Sequence, residues 1–242
     1  MRGSEETHML LNATVRNIVP SSLAAKVRLA VTLRFLAGGM VNDLSMIYCI
    51  SMSEIYTSIW RTIDAINEAL PVEFPINDPE KLELLEREFR GRSHVADWVG
   101  EIGAVDGCHF GMHNPGKAVR NPARYHVSRK SCSAMLVTAV CDIHRRFTFW
   151  DFNVEPTTHD SQAWALSELG LKIANGELDS RYFINGDSAY VLGPQMVVPY
   201  GKPAYTNFDY VQSSNRICIE CAFGVRSTQA LINVANHKSL TV

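Results

Sequence analysis

The sequence predicts a mixed α/β domain, a sheet covered by helices, preceded by an all-helical segment. Three observations carry this. Residues 22–70 repeat their apolar side chains at helical spacing, and "PVEFPINDP" (residues 71–79) sets three prolines in nine positions. From Ile102 the apolar residues instead fall in short runs rich in Val, Ile, Phe, Tyr and Ala, bounded by Gly, Asn, Asp or Pro.

In "SLAAKVRLAVTLRFLAGG", Leu29, Leu33 and Leu36 form a helical stripe widened by Leu23, Val27 and Val31, and Gly38-Gly39 stop it. A short second helix is expected to start at an Asn42-Asp43 cap. Ser51 with Glu54 makes a capping box that opens a third, with Ile55, Ile59, Ile63, Ile66 and Leu70 on one face. Three helices with tight turns suit a helix-turn-helix offering Ser53, Thr57, Ser58 and Arg61 to a DNA groove. They equally suit a helical subdomain packed on the main domain, and six basic against six acidic residues over 1–70 leave no basic footprint.

After the proline-rich linker, "EKLELLEREF" reads as a connecting helix with Leu82, Leu85 and Phe89 inward. The strands expected next are "IGAVDGCHF", "CSAMLVTAVCDI" and "RRFTFWDFNV". A helix "SQAWALSELGLKIANG" follows, opened at His159-Asp160, then strands "RYFINGD" and "QMVVPY" and a last helix from near Asn207. The chain thus divides into an N-terminal tail (1–21), a helical module (22–70), a linker with its connecting helix (71–97) and an α/β domain (98–242).

With 46% hydrophobic residues in 242, general disorder is excluded, and no apolar run approaches the roughly 20 residues a membrane span needs. The N-terminus lacks a basic-then-apolar signal pattern. Six cysteines, with Cys49, Cys132 and Cys141 in apolar runs, read as buried free thiols of a reducing compartment, so a soluble protein of nucleus or cytosol is expected. The formal charge of -2 makes any argument for nucleic acid a local one.

Chemistry is carried by three acids in apolar surroundings. Asp106 interrupts "GAVDG", Asp187 ends "YFINGD" and Glu220 lies within "ICIECAFG". Each alone could be a helix cap or an arginine partner. Together they suggest a divalent cation, because buried carboxylates cost several kcal/mol, about, unless paired or bound to metal. Oxygen-only ligands suit Mg²⁺ or Mn²⁺ and hence phosphoryl transfer.

The acids are spaced by 81 and 33 residues, on the first strand, the fourth strand and a late helix, which is the layout of ribonuclease-H-like nucleases of the DDE class. The phrases "GAVDGCHF", "RYHVSRKSCSAMLVTAVCD", "EPTTHDSQAWALSEL", "INGDSAYVL", "VVPYG" and "NFDYVQSSNRICIECAFG" resemble, in order, the motifs of PIF/Harbinger-type transposases and the nucleases derived from them. The resemblance covers about residues 98–231, and "LRFLAGG" resembles the helix-turn-helix segment that precedes this domain in the family.

The resemblance implies a metal-dependent DNA endonuclease in which Asp106, Asp187 and Glu220 hold two divalent ions. One would activate water or a DNA 3′-hydroxyl and the other would stabilise the leaving oxygen. His109 ("DGxH"), His159 and Asp160 ("HDS") then have structural roles or sit one contact removed from the metal. Arg216, one helical turn before Glu220, is expected to pair with an active-site carboxylate or touch a phosphate. A Myb-like DNA-binding partner protein is implied by the same resemblance. The family continues into further helices after the Glu helix, so the domain is expected to be truncated at its C-terminus. That leaves a rival reading, a catalytically silent DNA-binding or protein-interaction module.

Residues 111–146 hold Lys117, Arg120, Arg124, Arg129, Lys130, Arg145 and Arg146 against Asp142 alone. Tyr125 and three histidines lie among them, so the stretch is expected to track a phosphate backbone, the alternative being an ordinary solvated loop. Cys218 and Cys221 form a C-x-x-C around Glu220 and are read as helix-face thiols.

Overall fold

The computed structural model describes residues 23–200, apart from 94, 96, 113, 120 and 128–131, and residues 207–226. The described residues fall into two compact units that divide at Pro71.

The first unit contains α1 (Ala25–Leu36), α2 (Val41–Tyr48) and α3 (Met52–Ala69). Gly38, at φ +94°, ends α1 where the sequence placed its stop. Ser51 caps α3 by accepting from the Glu54 amide at 3.2 Å. Val31, Leu44, Ile55, Ile59 and Ile63 form the core. Each of these aliphatic side chains contributes about 1.5–3 kcal/mol on burial.

Three details depart from expectation. Leu33 is exposed, and the buried face of α1 runs through Arg28, Leu29, Val31 and Thr32 instead. Arg28 is drawn inward by Glu54, its Nη2 3.2 Å from Oε1, so an ion pair overrides the leucine stripe. The cap of α2 is Met40, with no side-chain hydrogen bond, and Asn42 and Asp43 fall inside the first turn. On α3, Leu70 lies past the last turn and is exposed.

The second unit opens with α4 (Pro79–Arg92), capped by Asp78, whose Oδ1 accepts from the Lys81 amide at 3.1 Å. Leu82, Leu85 and Phe89 are buried as the pattern requires. Leu82 and Leu85 join Ile102, Val105 and Ile184 of the sheet in one core, so this helix is part of the α/β unit.

The strands are β1 (Glu101–Met112), β2 (His126–Val127), β3 (Cys132–Cys141), β4 (Phe147–Asp151), β5 (Phe183–Asn185) and β6 (Met196–Val197). They form one sheet in the order β2-β3-β1-β5-β6, with β4 also paired to β3. β1, β3 and β4 are antiparallel, while β5 and β6 run parallel to β1. Leaving out the two-residue β2, which the sequence reading missed, this is the mixed sheet of a ribonuclease-H-like fold.

The helix foreseen over "SQAWALSELGLKIANG" is two helices, α5 (Asp160–Leu166) and α6 (Glu168–Ala174). Ser167 takes an extended backbone and caps the second, its Oγ accepting from the Gly170 amide at 3.1 Å. The last helix, α7, is Asn207–Arg226.

Side-chain alternation along β1 sorts the layers. Phe110 meets Phe223 of α7, and Cys141 of β3 stands 3.5 Å from Cys218 of α7, Sγ to Sγ. On the other face, Val105 and Val140 join Leu169 of α6. Of the three cysteines expected to be buried, only Cys141 is. Cys49 is exposed because it closes α2 in the left-handed region at φ 53°. Among the described residues no helix is long and apolar enough to cross a membrane.

Candidate active site

Sheet register builds the site. β1 and β5 are parallel neighbours, with Ala104 opposite Asn185, and Asp106 and Asp187 each follow two residues later on the same course. β5 ends at Asn185, so beyond it no described strand pairs with that edge of β1, and the crevice outside the carboxyl ends of parallel strands is where open α/β sheets place ligands. Asp106 accepts from the Gly107 amide at 2.8 Å and Asp187 from the Ala189 amide at 2.9 Å, which fixes both carboxylates against their own backbone.

Helix α7 lies over the Asp106 face of β1. Arg216 reaches two acids, with Nη1 3.9 Å from Asp106 Oδ2 and Nη2 2.5 Å from Glu220 Oε1. Glu220 is half exposed, whereas Arg216 and Asp106 are largely buried. Burial is the main cause that pushes the Asp106 carboxyl up to about 6, and the charges of Asp187 and Asp160 push the same way. The Gly107 amide and Arg216 act against them.

Asp160, the first residue of α5, approaches β1 from the opposite face. Its Oδ1 occupies the place a Cβ on Gly107 would take, so a larger residue at 107 would displace the Asp160 carboxylate. Burial raises its pKa, and Asp187 raises it further. His159 is the α5 cap, its Nδ1 3.3 Å from the Ser161 amide and 2.8 Å from Ser161 Oγ. His109 Nε2 stands 2.6 Å from the Pro156 carbonyl and anchors the loop that leads to this cap.

A buried polar network that sequence reasoning missed joins the three elements. Glu101 accepts from Asn185 of β5 (3.0 Å), from Asn215 of α7 (2.6 Å) and from the Trp98 indole. Gln212 of α7 donates to Asn185 Oδ1 and to the Gly186 carbonyl, each at 2.6 Å. Glu101 is fully buried, and burial pushes its carboxyl up to about 7 despite these donors. Only the charge of Glu101 at the head of an apolar strand hinted at this in the sequence. Tyr190, also missed, is buried with a hydroxyl that has no hydrogen-bond partner among the described residues.

The donor chemistry suits a hard divalent cation, because the acids supply oxygen only. Their spacing is wider than coordination requires. Among the described residues, no three or more His, Cys, Asp or Glu side chains stand close enough to hold a metal ion.

The candidate DNA-contacting residues fall in different places. Arg120, Arg129 and Lys130 lie outside the described residues. Lys117 is exposed, and Arg124 pairs with Glu155, its Nε 2.8 Å from Oε1. Arg124 also lines, with Val119, Asn121 and Tyr125, a cavity of about 480 Å³. Arg61 is exposed on α3 of the other unit. The basic run over 111–146 is not one strip. Arg145 and Arg146 sit in the turn after β3, roughly 30 Å along that strand from Cys132, and Arg146 is held by Asp142 and Glu88.

A sheet of this order, with an acid on its central strand and another just past the adjacent parallel strand, defines the ribonuclease-H-like nuclease class. Residues 105–229, more than half of the chain and including Asp106, Asp187 and Glu220, match the family described as DDE superfamily endonuclease, and the chain belongs to that family. Its members are transposase-type nucleases of DNA that generally use divalent metals. No curated protein and no solved structure matches the chain.

Proposed function

We propose that this chain is a metal-dependent DNA endonuclease of the PIF/Harbinger transposase-derived type, with Asp106, Asp187 and Glu220 as the carboxylates that hold Mg²⁺ or Mn²⁺. The observation that carries the reading is the parallel β1/β5 register, which sets Asp106 and Asp187 on one course at the open end of the sheet beneath the helix of Glu220. Bound cations would supply a nucleophile activated from water or a DNA 3′-hydroxyl and would stabilise the leaving oxygen of an in-line displacement. Asp106 and Asp187 orient their carboxylates through backbone amides. The Glu101 network sets the height of α7 over β1 and β5 and so the reach of Glu220.

DNA is held through Lys117, Arg120, Arg124, Arg129 and Lys130, with Arg61 on the helix-turn-helix-like module (22–70). The His109–Pro156 contact and the Arg124–Glu155 pair support this reading by tying the basic segment to the strand of Asp106 through adjacent residues. The protein acts in the nucleus, with cytoplasm as a second location, alongside a Myb-like partner. A Mg²⁺/Mn²⁺-dependent nicking assay on duplex DNA tests the activity. Wild type cleaves, Asp187→Ala does not, and equal cleavage by both would assign the activity elsewhere.

One observation favours a second reading, a catalytically silent module that has kept the fold. Arg216 already neutralises Asp106 and Glu220 from within. Under that reading the chain binds DNA and does not cleave it with either metal.

A further inference from the structure

The geometry points to the cavity of about 480 Å³ beside β2 as a pocket for one unpaired base of the DNA, away from the bond that is cut. This rests on the DNA-nuclease reading above and adds a part of the substrate that the acids do not touch.

Val119, Asn121, Arg124 and Tyr125 line the cavity, whose volume is that of a small-ligand pocket and far below what a duplex fills. The lining is that of a nucleobase site. Half-buried Tyr125 supplies an aromatic ring for stacking, Asn121 an amide that both donates to and accepts from a base edge, and Val119 an apolar wall. Arg124 adds a planar guanidinium whose charge Glu155 already meets, with Nε and Nη2 at 2.8 and 2.5 Å from the same Oε1. A cavity balanced in this way suits a neutral, planar heterocycle better than a free anion. Its frame is set in advance, because Pro122 opens a single 3₁₀ turn that ends on Tyr125, and the Arg124 amide donates to the Asn121 carbonyl at 3.3 Å.

Strand register fixes which base reaches it. Met112 of β1 pairs with Ser133 of β3, and Ser133 pairs with His126 of β2, the residue after Tyr125. That row lies about 20 Å along β1 from Asp106. At about 3.4 Å of helix axis per nucleotide, the base in the cavity stands about six nucleotides from a phosphodiester at the acids. Glu155 and Pro156 are adjacent, and His109 of β1 holds Pro156, so the cavity is tied to the strand of Asp106. Paired bases keep their faces in the stack, so the occupant is a base that is single-stranded or drawn out of the duplex.

The test is binding of the full chain, by fluorescence anisotropy in EDTA so that no strand is cut, to two duplexes that differ only in their single-stranded tail. One tail carries adenine bases and the other is abasic, so the phosphate contribution is the same for both. Wild type should prefer the adenine tail by about 5- to 100-fold. Tyr125→Ala should abolish the preference and Tyr125→Phe, which keeps the ring, should retain it. Thermal melting of each variant establishes that it folds. Equal binding of the two tails by wild type, or a preference that survives Tyr125→Ala, overturns the inference and leaves the DNA-nuclease reading standing. Free deoxyadenosine monophosphate that binds as tightly as the adenine-tailed duplex also overturns it, by assigning the cavity to a mononucleotide. If wild type binds neither duplex, the DNA reading itself fails.

Discussion

Asn185 donates from Nδ2 to Glu101 Oε1 across 3.0 Å, although 84 residues separate them in the chain. This bond joins β5 to β1 directly behind the two aspartates, and Asn215 extends it to α7. Burial holds the Glu101 carboxyl at about 7 against an ordinary value of 4.5. A raised pKa means that the folded state binds the proton more tightly than the unfolded chain. The stability this contributes is complete below about pH 4.5 and is lost as pH rises through about 7, a span on the order of 3 kcal/mol. Denaturant unfolding of wild type and Glu101→Gln from pH 4.5 to 8 should show the difference in slope in that window. Parallel curves would remove Glu101 as its source.

Arg216 places a positive charge within 4 Å of Asp106 and on Glu220. Its removal leaves the carboxylates with more negative potential, so Arg216→Gln should bind Mn²⁺ roughly three- to tenfold more tightly than wild type. Titration calorimetry reads this directly, and weaker binding would mean that the arginine organises the acids instead of opposing the cation.

Phe223 holds the end of α7 on the sheet through Phe110 and Phe147, with ring centroids 6.1 and 5.2 Å away. Phe223→Ala should destabilise the α/β unit by about 3–5 kcal/mol. Thermal unfolding monitored by near-ultraviolet circular dichroism measures the loss, and a change under about 1 kcal/mol would show that this end of the helix is held elsewhere.

The two ends of β3 should behave differently toward DNA. Neutralising Arg124, Arg129 and Lys130 together should weaken duplex binding and reduce the salt slope by about 2–3. Arg146→Gln should leave that slope unchanged, because Arg146 stands at the far end of β3 and is engaged by Asp142 and Glu88. Fluorescence anisotropy across a salt series separates them, and equal slopes in all variants would take the basic segment out of the interface.

Much of the architecture was legible in the sequence because it rests on local rules. The capping box at Ser51, the stop at Gly38, the change of period at Ile102 and the five strand segments other than β2 each follow from a few neighbouring residues. The inward face of α1 was not legible, since burial of Arg28 is decided by Glu54, 26 residues away. The break at Ser167 was hidden because its apolar neighbours fit one helix or two equally well.

By itself the sequence determined the order of elements, the three spaced acids and the motifs that ally the chain with DDE nucleases. Local periodicity and residue chemistry are properties of short stretches of chain. Only the tertiary structure decided that Asp160 docks on Gly107, that Arg216 spans Asp106 and Glu220, and that Glu101 ties three elements together. These are contacts between distant segments, set by strand register and by helix packing across the sheet, and no pattern within either segment encodes them.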